Sequence, residues 1–115
     1  MILVAGPYRS GTDGDPVRIA ANVAAMTEVS LTLFRRGHLP VMGEWFALPL
    51  MDEANRQGGD PDAIDAEIFH PIAERLLARC DACLRIGGPS AGADRMVATA
   101  RALGKTVYLD IADVP

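Results

Sequence analysis

Apolar residues along this chain alternate between short unbroken runs and stretches spaced three or four apart. Ile2-Leu3-Val4-Ala5 is an unbroken run, the mark of a strand covered on both faces. It ends in Gly6–Asp15, a loop too polar and glycine-rich to be regular. Asp15 predicts a helix N-cap, with Pro16 at the first helical position. Ile19, Val23, Met26 and Leu33 then recur at helical spacing until Gly37 stops the helix. Leu39–Met42 reads as a second short strand. Trp45, Phe46, Leu48, Leu50 and Met51 form a dense apolar patch assigned to no regular element, and polar residues follow through about Asp62. A helical region is predicted from Ala63 to Cys80, with Pro71 forcing a break around Phe69-His70. Ala82–Ile86 is the third strand, Ala93–Leu103 a helix stopped by Gly104, and Thr106–Ile111 the last strand.

Strands and helices in alternation give an α/β fold: right-handed crossovers produce a parallel sheet with helices on both faces, a three-layer flavodoxin- or Rossmann-like arrangement. Strand order 2-1-3-4 puts a switch point between strands 1 and 3, and ligands bind at the carboxyl ends of the strands beside such a crevice. The loops arriving there are Gly6–Asp15, Gly43–Leu48, Gly87–Ala93 and the segment from Ala112.

Length and charge narrow the reading. The 115 residues allow one domain, half of them hydrophobic and only 5% aromatic, so aliphatic side chains must fill the core. A net charge of −4 argues against nucleic acid as the partner but leaves room for one local anion site. No apolar stretch is read as bilayer-spanning and no signal pattern opens the chain, which predicts a cytoplasmic protein without a membrane partner. Cys80 and Cys83 form a C-x-x-C, but Cys80 closes a helix where a redox cysteine should open one. Zinc would need two further ligands, and His38 and His70 lack finger spacing, so no metal site is expected and both thiols read as buried.

The candidate chemistry gathers on the predicted crevice. In GGPSAGAD the free N–H groups of Gly92, Ala93 and Asp94 would open a helix toward an anion, and Ser90 would cap that helix or donate its hydroxyl. The pattern is neither G-x-G-x-x-G nor a P-loop. The second glycine-bearing loop, Gly6 to Gly11, adds the ring and hydroxyl of Tyr8, the charge of Arg9 and the hydroxyl of Ser10. Two such loops meeting at one crevice favour a small phosphorylated ligand. Glu44 is the best-placed carboxylate. Asp94 fits helix capping better, Glu74 a solvated face beside Arg75 and Arg79, and His70 a structural or surface role.

Ala-Gly-Pro-Tyr-Arg ending strand 1, Gly37-His38-Leu39-Pro40 at strand 2, C-D-A-C-L-R-I with S-A-G-A-D behind it, and A-x-x-x-G-K-x-V-Y near the end resemble the nucleoside 2-deoxyribosyltransferase-like superfamily, which includes 2′-deoxynucleoside 5′-phosphate N-hydrolases. The likeness covers nearly the whole chain in order and spacing. It implies a homodimer or larger homo-oligomer that takes a nucleoside- or nucleotide-type ligand and uses no cofactor. Members cleave or exchange the bond between base and deoxyribose: a glutamate attacks the anomeric carbon and an acidic residue assists with the base. By position the resemblance gives Tyr8 to the base or sugar, and Ser10, Ser90 and Gly92 to the phosphate.

The chain departs from that pattern at both acids. The glutamate belongs six residues after the serine, where this sequence has Met96, and the assisting aspartate eight residues before Asp81, where it has Ala73. Asp94 stands two residues from the first position, a turn of about 200° on a helix, and Glu74 one residue from the second. Met96 reads as core beside Ala93, Ala100 and Leu103. The expectation is a nucleoside- or nucleotide-binding protein that cleaves or transfers an N-glycosidic bond with Glu44 or Asp94 as the acid. The alternative is a catalytically inactive ligand-binding or assembly module on the same scaffold.

Overall fold

The computed structural model describes residues 1–115. Four parallel strands, β1 (Ile2–Ala5), β2 (Pro40–Val41), β3 (Ala82–Arg85) and β4 (Thr106–Tyr108), pair in the order β2-β1-β3-β4. The register aligns Ile2 with Pro40 on one side and with Ala82 on the other, and Ala82 with Thr106. β1 and the first three residues of β3 are buried, as their unbroken apolar sequence requires.

Helix α1 (Pro16–Arg35) opens as predicted, with Asp15 accepting from the Val17 N–H at 3.0 Å and Pro16 in the first turn. It buries Met26, Ser30 and Leu33 against Ile2, Val4 and Leu84 on one sheet face. At 20 residues, α1 is long and apolar enough to cross a bilayer, contrary to the sequence expectation. In the fold it is instead one layer of a compact domain, with Arg18, Asn22 and Glu28 interrupting its apolar residues.

The apolar patch around Trp45 is regular after all. Gly43–Arg56 forms helix α2, with Pro49 inside it, and α3 (Pro61–Ile64) follows behind an Asp60 cap. Asp65–Phe69 is a turn of π-helix leading directly into α4 (His70–Arg79), so the break expected near Phe69-His70 is a widening of the helix rather than a gap. Helix α5 (Ala91–Ala102) starts two residues earlier than predicted. β4 is three residues shorter, because Asp110 accepts from the Ala112 N–H at 2.9 Å and starts a 3₁₀ turn over Ile111–Asp113. Ala73, Leu77, Ala93, Met96 and Ala100 of α4 and α5 pack with Leu3, Ala5 and Cys83 on the other sheet face.

Candidate functional site at the β1 and β3 ends

The two glycine-bearing loops touch. A Cβ on Gly6 would lie 3.0 Å from Ile86 Cγ1 and 3.2 Å from both Ile86 O and Met26 Sδ, so any side chain there would push these neighbours back beside the switch point. Gly87 has φ +79°, and a Cβ there would sit 2.6 Å from Pro7 Cδ. The left-handed backbone and the missing side chain are both required for the loops to close on one another.

Beside this contact lies a cavity of about 220 Å³ reaching down to Leu3, Val4 and Ala5. Gly6, Tyr8, Arg9 and Ser10 line one side, and Ser90, Gly92 and Ala93 another. Gly43 and Glu44 enter from the start of α2. The remaining wall comes from Asp65, Phe69, His70 and Ala73, with Met96 projecting from α5. Of the residues singled out in the sequence, Gly11 and Asp94 do not line the cavity. Gly11 is exposed at φ +72° and shapes the turn. Asp94 points away and receives Arg85 Nε at 3.2 Å, with 72% of its side chain exposed.

Glu44 is only 6% exposed, and burial holds its carboxyl above the ordinary value of 4.5 while its own backbone N–H pulls the other way. It is therefore a sequestered carboxyl open to a cavity, carrying its proton to higher pH than a surface glutamate. Met96, where the resemblance would place a glutamate, is 5% exposed and both lines the cavity and joins the core. Ala73 is also buried, 3.4 Å from where a Cβ on Gly43 would stand. The two positions where the resemblance would put acids, Ala73 on α4 and Met96 on α5, are thus apolar here, and α2 brings a carboxyl to the same space.

The flat wall is aromatic. Tyr8 and Phe69 stack with centroids 5.9 Å apart and planes 11° from parallel, and the Arg9 guanidinium carbon lies 5.8 Å from the Tyr8 ring centre. Asn22 of α1 fixes this loop by donating to Tyr8 O at 2.9 Å and Ser10 O at 3.5 Å. Thr12, 2% exposed, donates to Arg9 O at 2.6 Å. At the start of α5, Ser90 Oγ accepts from the Ala93 N–H at 3.2 Å and Ser90 O from the Asp94 N–H at 3.0 Å. The donors left at this helix end are therefore the N–H groups of Ala91 and Gly92, one step earlier than the sequence suggested. Arg85 holds the preceding turn by donating to Ile86 O and, at 2.8 Å, to Gly88 O.

Sequence reasoning missed Asn22, Arg85, Asp65 and Phe69, and gave His70 a structural or surface role although it lines the cavity. Glu74 pairs across helices with Arg95 at 2.8 Å, not with Arg75 or Arg79. Cys80 and Cys83 are buried free thiols, both shifted upward by burial, Cys83 to about 11. Compared with protein-family models, curated proteins and solved structures, the chain matches none.

Proposed function

We propose that this chain binds a nucleoside or nucleoside monophosphate in the cavity and cleaves or transfers its N-glycosidic bond, with Glu44 as the carboxylate that meets the anomeric carbon. The observation that carries the reading is a 6%-exposed carboxyl opening onto a cavity whose other walls are an aromatic pair and a helix N-terminus. A base stacks on Tyr8 and Phe69. The anionic end of the ligand meets Arg9, the Ser10 and Ser90 hydroxyls and the free N–H group of Gly92. The sugar then lies between them, beside Glu44. Ionised Glu44 attacks the anomeric carbon or stabilises positive charge there, and burial strengthens both effects. Asp94 takes no part, since it pairs with Arg85 outside the cavity. We also infer a cytoplasmic homo-oligomer, formed over the apolar groove between Leu31, Phe34, Leu39 and Trp45.

Incubation with a panel of deoxynucleosides and their monophosphates, with chromatography for free base, tests the reaction. Base release by the wild type and its loss in Glu44→Gln, with a ligand-induced rise in Tm retained, is the expected result. Neither release nor a Tm rise with any member of the panel would overturn it. Met96 and Ala73 favour one second reading, a binding module without turnover, which predicts a Tm rise and no free base.

A further inference from the structure

The proposed reaction needs a proton for the departing base, and neither acid position of the resembling family supplies one. The π-turn addresses this need. On an α-helix, five residues separate Asp65 and His70 by about 500°, which leaves them about 140° apart around the axis. In a π-turn residues five apart come nearly one above the other, because the hydrogen bonds run from i to i+5. The extra residue in Asp65–Phe69 therefore turns Asp65 and His70 toward the same cavity, together with Phe69. The imidazole stands edge-on to Phe69, centroids 5.7 Å apart at 88°, and His70 Cε1 is 4.0 Å from where a Cβ on Gly92 would be. A planar base stacked against this aromatic pair would present its edge, where ring nitrogens accept protons, to this imidazole.

We propose that His70, turned into the cavity by the π-turn, is a catalytic residue that protonates the leaving base while Glu44 acts at the anomeric carbon; this rests on the reading given under Proposed function. As the C1′–N bond breaks, its electron pair stays on the base, a proton passes from the imidazolium to a ring nitrogen, and a Glu44 oxygen bonds to C1′. Water then attacks C1′, its proton returns to His70, and the ester pair returns to Glu44. The sum is nucleoside plus water giving free base plus sugar. The charged or titratable groups facing this pair are Tyr8 and Arg9 from the β1 loop and Asp65 from the π-turn. Glu74 and Arg95 on α4 and α5 are paired with each other, as are Asp94 and Arg85.

The test is the pH profile of base release by wild type, His70→Gln and His70→Asn, each checked for an unchanged fold by circular dichroism. The wild type should show a bell: the rise follows ionisation of Glu44, and the fall follows loss of the His70 proton. Both variants should lose the falling limb and at least about 100-fold in kcat. A substrate whose base leaves without a proton, the 7-methylguanine deoxynucleotide, should be cleaved by the variants at close to the wild-type rate. A retained falling limb, or an equal loss on the 7-methylguanine substrate, overturns the role of His70 and leaves the N-glycosidase reading standing. No release by the wild type overturns both.

Discussion

Arg85 Nε lies 3.2 Å from Asp94 Oδ1, and the same guanidinium donates to the Gly88 carbonyl at 2.8 Å. The acid of the S-A-G-A-D motif is therefore spent on holding the strand-to-helix turn rather than on the cavity. Its exposed side chain makes the pair weak, at most about 1 kcal/mol. Asp94→Asn should leave base release within about threefold of wild type and lower Tm by only a few degrees. Arg85→Ala should act differently, because its side chain is 12% exposed and anchors the turn carbonyls. It should raise KM for a monophosphate while leaving kcat nearly intact. A large kcat loss in Asp94→Asn would return Asp94 to the chemistry.

Glu44 links function to stability. Its folded-state carboxyl titrates above 4.5, so across the window from that value up to the raised one the native state holds more protons than the unfolded chain. Stability therefore falls as pH rises through this window. Glu44→Gln carries no such loss. Its Tm should exceed that of wild type at neutral pH, with the gap closing as pH drops toward 4.5. A gap that stays constant with pH would show that burial does not perturb this carboxyl.

Ser90 is a cap with a second role. Removing its oxygen leaves the Ala93 N–H without its 3.2 Å partner, which should cost about 1 kcal/mol. Thermal unfolding of Ser90→Ala should show a Tm drop of about 3–5 °C. Because the hydroxyl hydrogen is free to donate into the cavity, the variant should also bind monophosphates more weakly than nucleosides, relative to wild type. Equal weakening for both ligands would confine Ser90 to capping.

The sheet order, the α1 start and the convergence of the two glycine loops were legible because each rests on a local signal: an unbroken apolar run, an Asp-Pro cap, a glycine at a strand end. Helix α2 was not. Pro49 and Gly43 break the local propensity, and the helix forms because Ala47 and Met51 bury against Ile64. The helix also splits the apolar patch: Ala47 and Met51 turn inward, while Trp45, Phe46 and Leu50 stay exposed and none of the patch lines the cavity wall. Glu44 was legible as a carboxylate after strand 2. Asp65, Phe69 and His70 were not, because a 3.6-residue period does not put Asp65 and His70 on one face. Pro71 marked where the helix changes but not that it widens.

The thiols give a prediction independent of any ligand. With Cys83 pushed up to about 11, about one thiol in a thousand is ionised at pH 8, and the side chain is fully buried. Neither Cys80 nor Cys83 should react with a disulfide reagent over minutes in the folded protein, and both should react at once in guanidinium. Rapid labelling of either in the native state would contradict the burial.

The apolar groove makes the assembly prediction. Phe34 is 63% exposed, Leu39 54%, Leu31 48% and Trp45 44%, and they surround one groove beside the edge strand β2. Groups of this size left in water are unfavourable in proportion to their area, and the proposed pairing with a second copy of the chain would remove them from it. The wild type should sediment as a dimer or larger species at micromolar concentration. Phe34→Glu should shift it to monomer and move the emission of Trp45, the only tryptophan, toward the red. Because the groove shares no lining residue with the cavity, monomeric Phe34→Glu should keep its ligand-induced Tm rise. A wild type that sediments as a monomer would overturn the assembly, whatever the cavity binds.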